Sequence, residues 1–324
     1  MSRLFSMRGS PSKKFYNVYL SYKHDFNVFI IYRQPGSWRG FKGALKFKRR
    51  SLIMTGNELN AVVLKRVEAA PGLMILQVKT DGWDMPEFKA GQYAVLALPG
   101  SAKRTELSDP EEKQADPDKL IKRAYSIASS SRQNEYLELY ITLVRSGELT
   151  PRLFALEEGD KVFLAPKFKG VFTIDKAPEA ANLVLIATGT GIAPYVSMIR
   201  SILTCHDNRK FAILHGARHS WDLGYRAELS TLAVQCENIT YIPIISRPDE
   251  EESGWTADTG HVQKLWESGA IEAQGGYRPD PSNTHIFLCG APAMIEEMVT
   301  LLSTEGYKEH KKKDPGQIHV ERFW

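Results

Sequence analysis

The sequence predicts two domains in series: a six-stranded antiparallel β-barrel, then an α/β domain built on a parallel sheet. Three observations carry this expectation. The chain has 324 residues, and a domain usually takes about 100–200. Between residues 60 and 165, short alternating segments are separated by turn residues, as in small barrels. Beyond about residue 175, near-continuous apolar runs alternate with helical patterns, the mark of parallel strands buried on both faces.

Residues 1–53 stand apart. They hold twelve Lys and Arg against the single acid Asp25, a net charge of +11, while the rest of the chain is net −7. No helical or strand period runs through them, so we expect this segment to be disordered or outside the functional unit. A transit peptide, an arm for a nucleic acid or membrane surface, and a true start at Met54 are all compatible with its composition.

The barrel domain is expected over 54–172. Strands at 61–67 and 73–79 flank Ala70-Pro71-Gly72, a hairpin signal. A third follows Gly91 at 93–98, and the polar stretch 99–122 reads as a long solvated loop. Strands at 123–128, 136–144 and 161–165 complete the six, with one helical stretch at 151–157. The α/β domain is expected over 173–324, with strands at 183–188, 211–216, 239–245 and 285–289 and helices at 194–203 and 294–303.

Hydrophobic residues make up 43% and charged residues 25%, an ordinary globular balance. No apolar run reaches the ~18–20 residues of a membrane span. Cys205, Cys236 and Cys289 are too few and scattered for a disulfide framework or zinc site. They also exclude a fused plant-type iron–sulfur domain, which needs four thiolates.

In an open parallel sheet, ligands bind beyond the carboxyl ends of the strands. Here those ends carry Thr188-Gly189-Thr190-Gly191, Gly216-Ala217-Arg218, Ser246-Arg247 and Cys289-Gly290. Gly189 to Pro194 opens a helix directly after a strand, a place suited to a pyrophosphate. Arg218 and Arg247 suit the 2′-phosphate of NADP, although two plain surface arginines fit the same positions. In the barrel, Arg123-Ala124-Tyr125-Ser126 and Gly147-Glu148-Leu149-Thr150-Pro151 combine a guanidinium, an aromatic face, a hydroxyl and a helix start with Thr150 as N-cap. Singly, each has a bland reading as edge arginine, core tyrosine or ordinary cap.

Together these motifs resemble the ferredoxin–NADP(H) reductase family, in order and at plausible spacing from about residue 58 to the end. The terminal Phe323-Trp324 resembles the bacterial branch. The resemblance implies a Rossmann-like second domain, FAD and NADP(H) as cofactors, hydride passing from NADPH to flavin N5, and single electrons going to ferredoxin or flavodoxin. Carried over, Arg123 binds the FAD pyrophosphate, Tyr125 and Ser126 contact the isoalloxazine, and the loop Gly147 to Thr150, through Leu149, lies at the flavin phosphate. Trp324 stacks on the flavin. Thr188, Gly189, Thr190 and Gly191 line the nicotinamide side with Cys289 and Gly290. Arg218 and Arg247 hold the 2′-phosphate, and Tyr225 lies near the adenine. Ser126 and Glu321 relay the N5 proton, although Glu321 also reads as a solvated tail charge. His261 stands where bacterial members place a further arginine, which loosens discrimination against NADH. Lys167, Lys169 and Lys311-Lys312-Lys313 are candidates for a rim that meets an acidic carrier transiently. The expected protein is a cytoplasmic monomer with no membrane span and no nucleic-acid partner. The same two domains also suit an NADH-linked reductase component of an oxygenase, or a flavin-binding subunit of a larger complex.

Overall fold

A computed structural model describes residues 58–322 apart from Ser253. The expectations for residues 1–53 and for Trp324 lie outside the described residues.

The first sheet is built from β1 (Ala61–Ala70), β2 (Leu73–Thr80), β3 (Tyr93–Pro99), β4 (Leu120–Ser126), β5 (Leu137–Thr142) and β6 (Lys161–Leu164), with the short helix α1 (Thr150–Leu153) before β6. Its strand order is β4-β3-β6-β1-β2-β5, and all neighbours are antiparallel. The edges close on each other through an antiparallel bridge between Ile127 and Leu139 and a bond from Ala128 N–H to Glu138 O of 2.8 Å. A barrel results, because closure removes both free edges. Val63, Leu76, Leu96, Leu139 and Leu153 fill its interior.

The second sheet contains β7 (Asn182–Thr188), β8 (Phe211–Ala217), β9 (Ile239–Ile245), β10 (Asp258–Thr259), β11 (Thr284–Gly290) and β12 (Ile318–Arg322). All pairs are parallel, in the order β10-β9-β8-β7-β11-β12. Helices α2 (Ala193–Ile202), α3 (Arg226–Gln235), α4 (Val262–Glu267), α5 (Ala270–Gly275) and α6 (Pro292–Thr304) complete the domain. Alternate residues of β7 divide the core. Leu183 and Leu185 join the α2 and α3 side, which also takes barrel residues such as Leu73, Tyr140 and Phe172. Val184 and Ile186 join the side covered by α4 and α6. The barrel therefore packs on one face of the parallel sheet.

A buried polar junction fixes that packing. Glu138 of β5 accepts bonds from Arg200 of α2 at 2.7 Å, Gln77 at 2.8 Å and the Tyr225 hydroxyl at 3.0 Å. Arg200 also pairs with Glu228 at 2.7 Å. Burial opposes ionisation of Glu138, yet Arg200 and the other donors hold its carboxyl below the usual range. Ser197 adds a bond to Ser129 O at 2.7 Å.

Three expectations change. The stretch 99–122 is anchored rather than merely solvated. Its Glu111 receives Arg104 at 3.0 Å and the fully buried Arg152 at 2.8 Å, and Arg152 also donates to Gly100 O at 2.6 Å and Glu148 O at 2.7 Å. Thr150 is not an N-cap, since its hydroxyl is engaged by Val144 N–H at 3.0 Å and Val144 O at 3.1 Å. Cys205 and Cys236, 31 residues apart in sequence, form a disulfide that joins the end of α2 to the end of α3.

Candidate functional site

The carboxyl ends of β7, β8, β9 and β11 surround a cavity of about 540 Å³. Thr188, Gly189, Thr190, Arg218, His261 and Gly290 line it, together with Leu73 and Thr142 of the barrel. Ser246, Asp222, Gln263 and Glu297 add to the polar lining, and the last three did not stand out in the sequence.

The floor depends on two glycines. A Cβ on Gly191 would lie 2.2 Å from the Cys289 carbonyl oxygen, and one on Gly290, whose φ is 145°, would lie 2.1 Å from Thr188 Oγ1. Both positions require the absence of a side chain. The turns after β7 and β11 thus approach each other closely, and Thr188 Oγ1 accepts the Ala291 N–H at 2.9 Å. Gly191 and Cys289 are buried beneath this contact rather than on the cavity wall.

The two arginines are adjacent, because Arg247 N–H donates to Arg218 O at 2.9 Å. Arg218 reaches the cavity and has Asp222 at 3.6 Å. Arg247 is half-exposed, with Glu250 at 3.5 Å. Tyr225 is not part of the cavity wall. Its backbone turns through φ 61°, its hydroxyl is taken by Glu138, and its ring packs on Tyr140 at 5.4 Å. It belongs to the junction between the sheets.

A second cluster joins the barrel to the parallel sheet. Ser126 Oγ, at the end of β4, donates to Glu321 Oε2 of β12 at 3.2 Å, and Cys289 Sγ of β11 lies 3.9 Å from the same oxygen. Parallel pairing sets Cys289 opposite Glu321. Burial raises the Glu321 carboxyl to about 7, against the lowering effect of hydrogen bonds from Ser126 and Cys289. Burial, reinforced by the charge on Glu321, drives the Cys289 thiol well above its ordinary value. Glu321 is therefore not a freely solvated tail charge.

Along β4, Arg123 is exposed and pairs with Glu148 at 2.5 Å. Ala124 is exposed, Tyr125 is half-buried and Ser126 is buried. The Leu149 side chain fills the barrel core, so the loop Gly147 to Thr150 faces outward through its backbone.

A model of the oxidoreductase NAD-binding domain matches residues 185–300. The flavodoxin/ferredoxin–NADP reductase of Escherichia coli K12 is 31% identical over 239 residues, covering 73% of this chain and 88% of that protein. The chain belongs to the ferredoxin–NADP reductase family. A flavodoxin/ferredoxin–NADP reductase from Buchnera aphidicola (Baizongia pistaciae) is also 31% identical, over 208 residues, covering 64% of this chain and 82% of that protein. A ferredoxin NADP+ reductase from Neisseria gonorrhoeae, solved with FAD and NADP, superimposes with a TM-score of 0.68 at 22% identity, over 82% of this chain and 98% of that one. The family makes this chain an oxidoreductase with FAD and NADP(H) as cofactors.

The described residues fit a flavin at β4. The Tyr125 hydroxyl is buried with no hydrogen-bond partner, a cost that a bound polar group would relieve. Beside it, Arg123 offers a guanidinium to a pyrophosphate in exchange for Glu148.

Proposed function

We propose that this ferredoxin–NADP reductase moves electrons between NADPH, through a hydride delivered to flavin N5, and ferredoxin or flavodoxin. The observation that carries this reading is the Ser126–Glu321–Cys289 cluster, which links the tip of the barrel to the strand ends beside the Gly189 turn. FAD, when bound, supplies the exchange between two-electron and one-electron chemistry. The residues supply position and proton management. Arg123 holds the pyrophosphate, and Tyr125 and Ser126 orient the ring. Thr188, Gly189, Thr190 and Gly290 receive the nicotinamide nucleotide above the buried Gly191, and Arg218, Arg247 and His261 hold the 2′-phosphate. Glu321 titrates near neutrality, so it holds or releases a proton through Ser126 at little cost.

Lys167, Lys169 and Lys311 to Lys313 are exposed and suit an acidic carrier met in transient, salt-sensitive encounters. No described helix is long and apolar enough to cross a membrane. The reading includes a monomer acting in the cytoplasm.

The test is an absorbance spectrum of purified protein before and after NADPH, followed by a carrier. Flavin bands that NADPH bleaches and flavodoxin or ferredoxin restores are expected. A colourless protein that FAD does not reconstitute would sink the reading.

A further inference from the structure

The two strand ends that carry Arg218 and Arg247 are linked by an imidazole. His219 Nδ1 lies 3.1 Å from Asp222 Oδ2, and its Nε2 lies 2.7 Å from Glu250 Oε2. Trp221 stacks on the ring at 4.5 Å and 10°. Ser220 donates its N–H and its hydroxyl to Glu251, each at 2.6 Å, tying the same two loops together.

A neutral imidazole has one N–H and one lone pair. Carboxylates at both nitrogens therefore select the imidazolium, which donates from both. Partial burial disfavours that charge, but the bonds to Glu250 and Asp222 prevail and raise the His219 pKa. The same carboxylates are the partners of the arginines. Asp222 is 3.6 Å from Arg218 and Glu250 is 3.5 Å from Arg247, both looser than the contacts to His219. While His219 takes the shorter contacts to the carboxylates, each guanidinium keeps only a long one, and its remaining donors are open to another anion. Once His219 loses its proton, one positive charge disappears, and Asp222 and Glu250 turn to the arginines.

We propose that His219 is a positioning residue for the 2′-phosphate of NADP(H), holding Asp222 and Glu250 away from Arg218 and Arg247 so that the guanidinium groups meet the phosphate. This rests on assigning those two arginines to the 2′-phosphate. The charged groups facing His219 are Asp222 and Glu250, with Arg218, Arg247 and Glu251 behind them.

The test is steady-state kinetics on the full-length, flavin-loaded enzyme, with ferricyanide as acceptor. NADPH and NADH are compared from pH 5.5 to 9 for the wild type, His219→Gln, His219→Arg, Arg218→Ala and Arg247→Ala. NADH lacks only the 2′-phosphate, so the NADPH-to-NADH ratio of kcat/KM cancels general damage. The wild-type ratio should fall as pH rises, through a larger KM for NADPH. The ester's own second ionisation, near pH ~6, acts in the opposite direction. His219→Gln should lower the ratio about tenfold at the acidic end, the worth of one charge-assisted contact, and make the fall with pH shallower than in the wild type, whatever His261 contributes being common to both. His219→Arg should keep the ratio high, with the same shallower fall. A ratio in His219→Gln equal to that of the wild type, or a fall as steep as the wild type's, overturns the proposal. If Arg218→Ala or Arg247→Ala lowers the ratio while His219→Gln does not, this inference alone fails. If neither arginine variant lowers it, the 2′-phosphate assignment fails as well.

Discussion

Replacing Glu321 by Gln removes a carboxyl that folding transfers from water to a buried site between β4 and β11. Burial lifts its pKa from 4.5 to about 7. At about 1.36 kcal/mol per unit, that shift makes the ionised form cost about 3 kcal/mol in the folded protein. The folded state binds the proton more tightly than the unfolded chain, so stability falls as pH rises. The carboxyl carries no penalty below pH 4.5, an increasing one between 4.5 and 7, and the whole of it above 7. The glutamine keeps the shape and cannot ionise. Denaturant unfolding of flavin-loaded protein at half-unit steps from pH 5 to 8.5 reads the difference. Glu321→Gln should match the wild type within about 1 kcal/mol at pH 5 and exceed it by about 3 kcal/mol at pH 8. A difference that stays constant with pH, or that grows toward acid, would refute the reasoning.

Arg152→Met should cost about 3–5 kcal/mol in denaturant unfolding, because Glu111, Gly100 O and Glu148 O all lose a buried donor; adding Glu111→Leu should recover part of it. Gly191→Ala places a Cβ 2.2 Å from the Cys289 oxygen, and a shift of that size at the reacting site should lower kcat/KM for NADPH by about 100-fold. His319 stacks between His310 at 4.7 Å and His285 at 5.3 Å, and burial followed by repulsion from His285 lowers its pKa from 6.5 to about 3. The folded state therefore binds fewer protons. Stability should fall as pH drops below 6.5, by about 2 kcal/mol at pH 5, and unfolding of His319→Phe followed between pH 4.5 and 7.5 should lack that slope.

The strands β7, β8, β9 and β11 were legible in the sequence because both of their faces are buried, which demands continuous apolar runs. Edge strand β12 was not, since it turns His319 and Glu321 inward among polar partners and so breaks the apolar signal. Helix α3 buries only Leu229 and has no 3.6-residue period to read. The strand-end glycines and Arg218 marked the cavity, since the rule for open sheets depends only on where each strand stops. Side-chain direction was harder. The left-handed turn at Tyr225 sends its ring toward Tyr140, and Leu149 points into the barrel. The bridge made by His219 depends on Glu250, 31 residues away. No local pattern announces such a contact.

The meeting of Glu138 with Arg200 also bears on how such chains recombine. Glu138 lies in β5, before β6 ends at Leu164, while Arg200 lies in the first helix after β7. A hybrid that takes its barrel from one relative and its parallel sheet from another would inherit one half of the clasp from each parent. Where the halves do not match, Glu138 loses its guanidinium at a buried seam, while Arg200 keeps only Glu228. Such hybrids should be viable only when glutamate and arginine are transplanted as a pair, which makes these two positions the practical suture line for engineering new cofactor preferences onto an existing barrel.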